Sequence, residues 1–155
     1  MPKVNWHRDP EAFGETMVKS PTSKLLLGLD LGTSTGYTFH YWRPGQPVTV
    51  RPEHMGQFDL SAGSYDSGAI RFVRLRQFLS AIQPDLVCYE DVKFDPPGIA
   101  KFSAAAVLAR VATASELLGA FKATVCTWCE EFGVPCAGFK ISQIKKRASG
   151  KGNCN

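Results

Sequence analysis

Apolar residues fall into two rhythms along this chain. Leu25-Leu26-Leu27-Gly28-Leu29-Asp30 is a short, nearly continuous apolar run that leads into Gly32-Thr33-Ser34-Thr35-Gly36. Its length and the turn signal behind it predict a buried central strand. Residues 37–42 are aromatic and β-favouring and close at Arg43-Pro44-Gly45, which predicts a hairpin with the first strand. Residues 48–50 and 55–60 add further strand. Over 67–82 the period lengthens: Ile70, Val73, Phe78, Leu79 and Ile82 follow helical spacing, with Arg71, Arg74 and Arg76 mostly off that face. Gln83-Pro84-Asp85 stops this helix. Leu86-Val87-Cys88-Tyr89 is a second buried strand running into Glu90, and Pro96-Pro97-Gly98 makes 94–98 a loop. The longest helical signal covers 103–132, where Val107, Val111, Leu118, Val125 and Phe132 recur at steps of four and seven. Gly133 suits the residue after its end, with Pro135 just beyond. A short strand is expected over 134–139, and Ser142 is the expected N-cap of a last helix through Arg147. The order β-β-β-α-β-α-β-α predicts an α/β fold, a mixed sheet with helices on its faces.

Composition narrows the class. The 155 residues are 44% hydrophobic and 21% charged, an ordinary globular balance that excludes a largely disordered or collagen-like chain. Residues 1–23 are polar and aperiodic and read as an extension; 24–155 read as one domain. No apolar run spans a bilayer, and the N-terminal residues lack an apolar stretch of the kind a secretory signal needs. Five cysteines at irregular spacing fit a reduced, cytoplasmic protein better than a disulfide framework. Charge is uneven. From Lys140 onward there are five cations (Lys140, Lys145, Lys146, Arg147, Lys151) and no acid, against +4 for the whole chain. A basic segment on a near-neutral body fits either a phosphate footprint or a solvated terminus.

Candidate chemistry centres on two acids. Asp30 closes the first strand and Glu90 the strand after the first helix. If those strands are neighbours, their ends aim both carboxylates into one crevice. Two adjacent carboxylates repel unless a cation separates them. Hard oxygen ligands with open positions suit Mg²⁺ or Mn²⁺, which serve phosphodiester cleavage. Two solvated turn acids would look the same in sequence. Thr33, Ser34 and Thr35 offer hydroxyls and amides to a phosphate, though any hairpin turn shares that composition. Cys126-x-x-Cys129 with Cys136 supplies three thiols and no nearby His, short of a tetrahedral zinc set, so these and Cys88 read as core. His7, His40 and His54 are scattered and have no ligand partner at helical spacing. On the long helix Leu117, Phe121 and Trp128 lie beside the main stripe, an apolar excess that predicts a partner helix and hence a dimer.

Several segments carry a family resemblance. LLLGLDLGTSTGY resembles the opening strand and turn of RuvC-type Holliday-junction resolvases in the ribonuclease-H-like superfamily. PDLVCYEDV resembles the strand bearing that family's second catalytic acid, and AFKATVCTWCEEFGVPCAGFKISQIKKRASGKGN its long helix, following strand and basic glycine-rich loop. The resemblance runs through most of 25–153. It implies a ribonuclease-H-like mixed sheet flanked by helices and a homodimer. The implied activity is metal-dependent cleavage of four-way DNA junctions in recombination and repair, in a bacterial cell or phage-infected host. Asp30 matches the first metal ligand, expected to bridge two ions of Mg²⁺ or Mn²⁺, and Glu90 matches the second acid. Lys145, Lys146 and Lys151 fall in the segment that meets the DNA backbone. With Arg147, Thr33 and Ser34 they form the expected DNA-binding set. Phe94 and Phe102 flank a loop that the resemblance places near DNA.

One departure matters. In the family a further helix after the glycine-rich loop carries two more active-site acids, whereas no Asp or Glu follows Glu131 here. The C-terminal helix is therefore expected to be missing and the 155-residue chain to be weak or inactive as a nuclease. Asp95 and Glu116 are conceivable substitutes, and alternation points Asp91 to the opposite sheet face. Two other readings stay open: a non-catalytic binder of branched DNA, and a nucleotide-binding module. GLDLGTSTG also resembles the phosphate loop of actin-like ATPases and sugar kinases, which need a second lobe.

Overall fold

Leu25, Leu27 and Leu29 are almost wholly buried, while Lys24 and Asp30 on the other face are exposed. That alternation orients the whole sheet. The computed structural model describes residues 23–43, 45, 54–92 and 104–150, the last segment with side chains from Val111 onward. The expected extension up to residue 22, the strand at 48–50, His7, Phe94, Asp95, Phe102, the Pro96-Pro97-Gly98 loop and Lys151 lie outside the described residues.

Among the described residues five strands and three helices follow in the expected order: β1 (Lys24–Asp30), β2 (Ser34–Trp42), β3 (Met55–Asp59), α1 (Ile70–Ile82), β4 (Leu86–Glu90), α2 (Ala104–Phe132), β5 (Cys136–Phe139) and α3 (Ile141–Ser149). The sheet order is β3-β2-β1-β4-β5. β1 and β2 pair antiparallel from Lys24↔Trp42 to Asp30↔Gly36, and β3 continues antiparallel beside β2. β4 lies parallel to β1, with Leu29 opposite Tyr89, and β5 parallel to β4, with Glu90 opposite Phe139. The sheet is mixed, as predicted.

One core fills the face that carries Leu25, Leu27, Leu29, Phe39 and Val87. From α1 come Leu75, Phe78, Leu79 and Ile82; from α2 come Phe121, Val125, Trp128 and Cys129. Phe78 stacks on Phe58 at 4.3 Å and tilts against Tyr37 at 5.2 Å between ring centroids. The Trp128 indole N–H donates to Ser80 Oγ at 3.0 Å, so the ring is buried without an orphaned donor.

The tertiary structure corrects the helix faces. Val73 is 46% exposed, and Leu75 takes the core position. On α2 the buried line is Phe121, Val125 and Trp128–Cys129, with Leu117 packed against it, and Phe132 is 56% exposed. The residues read as a surplus strip for a partner helix are the ones that meet the sheet and α1. The buried line keeps helical spacing but lies to one side of the stripe read from the sequence, because the docking of the helix on the sheet and α1 sets which face is covered. Other corrections are local. β2 begins at Ser34, because buried Thr35 closes the turn: its hydroxyl donates to the Gly32 carbonyl at 2.6 Å and accepts from the Gly32 N–H. α3 starts before Ser142, which lies inside it; the Lys140 N–H donates to Gln143 Oε1 at 3.0 Å at the helix entrance. Gly133, at φ 66°, ends α2 as expected.

Candidate active site

Asp30 and Glu90 are the last residues of β1 and β4, which are adjacent and parallel with Leu29 level with Tyr89. Parallel neighbours in register present equivalent residues on one face. The two carboxylates therefore emerge side by side on the sheet face opposite α1 and α2, close enough to hydrogen-bond to each other. The Glu90 carboxyl is held above its ordinary range, first by burial and then by the negative charge and hydrogen bond of Asp30. Lys145 of α3 opposes the shift, which places an ammonium in the field of the pair.

A cleft of about 610 Å³ opens beside the acids. Gly28, Asp30, Gly36 and Thr38 line it from β1 and β2, Cys88 and Glu90 from β4, Phe139 from β5 and Ile144 from α3. Gly36 sits across from Asp30, and a Cβ there would stand in ordinary contact, 3.6 Å, with the Asp30 Cβ. Cys88 corrects the reading as core: it is half-buried and shares the Glu90 face, as its two-residue offset from Glu90 requires. Phe139 and Ile144, 42% and 44% exposed, were absent from the expected set. Phe139 is brought to the cleft by the strand pairing Glu90↔Phe139 and Ile144 by the packing of α3, both nonlocal facts.

The remaining candidates divide by place. Lys146 and Arg147 lie in the last turn of α3, every residue of which is exposed. Thr33 and Ser34 are exposed at the turn after β1, where the Thr33 carbonyl accepts the Leu60 N–H at 2.7 Å. Neither lines the cleft. Asp91 points to the opposite face, as alternation requires, and binds Lys122 of α2. Glu116 is exposed on α2, the helix on the far side of the sheet, and does not join the acids. Arg74 is paired with Asp66 and Arg76 with Glu131. Cys129 and Cys136 hydrogen-bond to each other beside Cys126, and the Tyr89 hydroxyl lies 3.8 Å from Cys126 Sγ.

Among the described residues no group of three or more His, Cys, Asp or Glu side chains is arranged to hold a metal ion. The donor chemistry of the acid pair fits a hard divalent cation nonetheless. Two carboxylates in hydrogen-bonding contact, one resisting ionisation through burial and then through the charge of the other, are the electrostatic arrangement that a cation relieves. They supply part of an oxygen coordination shell. No described helix is long and apolar enough to cross a membrane.

The fold recurs in solved resolvase structures. Thermus thermophilus RuvC aligns with 84% of this chain and 72% of its own at 19% identity and a TM-score of 0.56. T. thermophilus RuvC in complex with a Holliday junction substrate gives 0.60 at 18% identity, covering 85% of this chain and 72% of that one. The yeast mitochondrial Holliday junction resolvase gives 0.53 at 14% identity; the alignment covers 96% of this chain and 65% of that one. No protein-family profile and no curated protein matches the sequence. At these identities the likeness establishes the fold: the ribonuclease-H-like α/β sheet of RuvC-type resolvases.

Proposed function

We propose that this protein is a divalent-metal-dependent, structure-specific DNA endonuclease that hydrolyses phosphodiesters at four-way junctions. The observation that carries the reading is the meeting of Asp30 and Glu90 at the ends of adjacent parallel strands, with Lys145 facing them. A fold shared with RuvC, one of whose structures holds a Holliday junction substrate, supports DNA as the partner.

Asp30 and Glu90 would hold Mg²⁺ or Mn²⁺, two ions in a complete site. When bound, such ions supply water activation and stabilise the leaving oxygen. The chain's own residues do the rest. Asp30 and Glu90 present their oxygens together from rigid strand ends, a preorganised donor pair. Lys145 offers its ammonium to a phosphate entering the cleft. Lys146 and Arg147 extend that positive edge along α3, Lys151 lies in the glycine-rich segment that follows, and the Thr33 and Ser34 hydroxyls flank the approach after β1. Because these contacts are to phosphates, affinity falls steeply with salt. A homodimer would set two sites against the two-fold symmetry of the junction.

Only two carboxylates meet among the described residues, which favours as second reading a branched-DNA binder that does not cut. One experiment separates the readings. A labelled four-way junction is incubated with the purified protein, with and without Mg²⁺ or Mn²⁺, beside Asp30→Asn. Metal-dependent nicks that fall at least about 100-fold in the variant establish the endonuclease. Salt-sensitive binding without nicks establishes the binder. Absence of both overturns the DNA reading.

A further inference from the structure

Glu90 ends β4, and two residues after it are fastened from the other side of the sheet. Lys122, on the third turn from the end of α2, binds Asp91 Oδ1 and donates to the Val92 carbonyl at 3.1 Å. The Asp91 N–H donates to the Phe139 carbonyl at 2.8 Å, which carries the β4–β5 ladder one residue past Glu90. Lys122 is well shielded, its side chain 23% exposed, and its neighbour Phe121 is wholly buried in the core. The ammonium therefore stands on a part of α2 that does not move independently of the sheet.

We propose that Lys122 is a positioning residue: it clamps the chain just after β4 so that the Glu90 carboxylate stays beside Asp30. The clamp also occupies Asp91. Successive strand residues point to opposite faces, so Lys122 holds the acid next to Glu90 on the helix side while Glu90 faces the cleft. Without Lys122, Asp91 and Val92 lose their shared partner. The β4 end can then rotate, and Glu90 loses its defined place beside Asp30. Removing groups that orient a metal ligand costs 10–100-fold in affinity in metal sites generally.

The inference rests on the cation-binding reading of Asp30 and Glu90, and the test separates the two. Mn²⁺ affinity is measured on the DNA-free protein by electron paramagnetic resonance for wild type, Lys122→Met, Lys122→Arg and Phe78→Leu. Amide hydrogen exchange is followed at Tyr89–Val92. The expected result is at least about tenfold weaker Mn²⁺ binding in Lys122→Met, with faster exchange confined to the β4 end. Lys122→Arg keeps the charge and a donor pair and restores most of the affinity. Phe78→Leu lowers stability and leaves Mn²⁺ affinity unchanged, so a loss of affinity in Lys122→Met is not the result of general destabilisation; an equal loss in both variants overturns the positioning role. Equal Mn²⁺ affinity in wild type and Lys122→Met overturns the proposal. If wild type binds no Mn²⁺, the cation reading fails. Exchange then decides for the clamp: acceleration in Lys122→Met supports it and unchanged exchange overturns it.

Discussion

Glu90 resists ionisation because burial and the Asp30 carboxylate both penalise its charge. Its folded pKa lies above the ordinary 4.5, so its contribution to stability is fully present below that value. The contribution is lost as pH rises through the raised folded value. Glu90→Gln removes the repulsion and is predicted to stabilise the metal-free protein at pH 7 by about 0.5–1 kcal/mol, the scale of a partly solvated charge pair. The gain vanishes near pH 4, where Glu90 is protonated in both states. Denaturation midpoints at the two pH values check this. On the proposed cation-binding reading, adding Mg²⁺ at pH 7 should reverse the sign, because the acid pair would bind the cation in the folded state and Gln would not.

A second residue-scale prediction concerns Lys145. Its charge lowers the Glu90 pKa against the raising effects of burial and Asp30, while Lys146 and Arg147 lie in the last turn of α3 and do not line the cleft. Lys145→Ala should therefore raise the Glu90 pKa, read by carboxyl carbon NMR, and reduce the salt slope of DNA binding by about one. Lys146→Ala should reduce the slope equally and leave Glu90 unmoved.

At the scale of elements, α2 does two jobs. Its sheet-facing line of Phe121, Val125 and Trp128 closes the core, and Lys122, one residue along, reaches the end of β4. Phe121→Ala opens a cavity in a fully buried layer and should cost about 3–5 kcal/mol, lowering Tm by roughly 10 °C. Thermal unfolding followed by circular dichroism measures it. The exposed ion pairs Arg76–Glu131 and Arg74–Asp66 should each be worth no more than about 1 kcal/mol, tested by neutralising either partner. The β4–β5 pair depends on a close approach: a Cβ on Gly138 would stand 2.9 Å from the Tyr89 ring. Gly138→Ala should therefore displace Tyr89 and with it the neighbouring Glu90.

For the whole molecule, buried thiols set an alkaline limit. Burial raises the Cys88, Cys129 and Cys136 thiols above the ordinary 9.0, and burial, followed by the contact with Cys126, pushes Tyr89 up to about 12. Their stabilising contribution is complete below pH 9.0 and is lost as pH rises through the folded values. Stability should hold up to about pH 9 and fall as pH rises beyond it, read as a Tm that declines between pH 9 and higher pH. Replacing the three cysteines with alanine should flatten that drop in scanning calorimetry.

Local chemistry determined the elements. The apolar run at Leu25–Leu29, the stop at Gln83-Pro84-Asp85 and Gly133 behind the long helix are read by adjacent residues, so strand, helix and cap were legible without a fold. The two acids were legible as well, because each closes an apolar strand. Their meeting was not. It depends on β4 lying parallel beside β1 in one register, a contact across sixty residues whose energy is spread over the whole core. The same nonlocality moved the buried line of α2 onto Phe121 and Trp128, put Cys88 and Phe139 in the cleft, and joined Lys122 to Asp91. A side chain's neighbours along the chain set its conformation. What it touches across the sheet depends on register and twist, and those belong to the packed molecule alone.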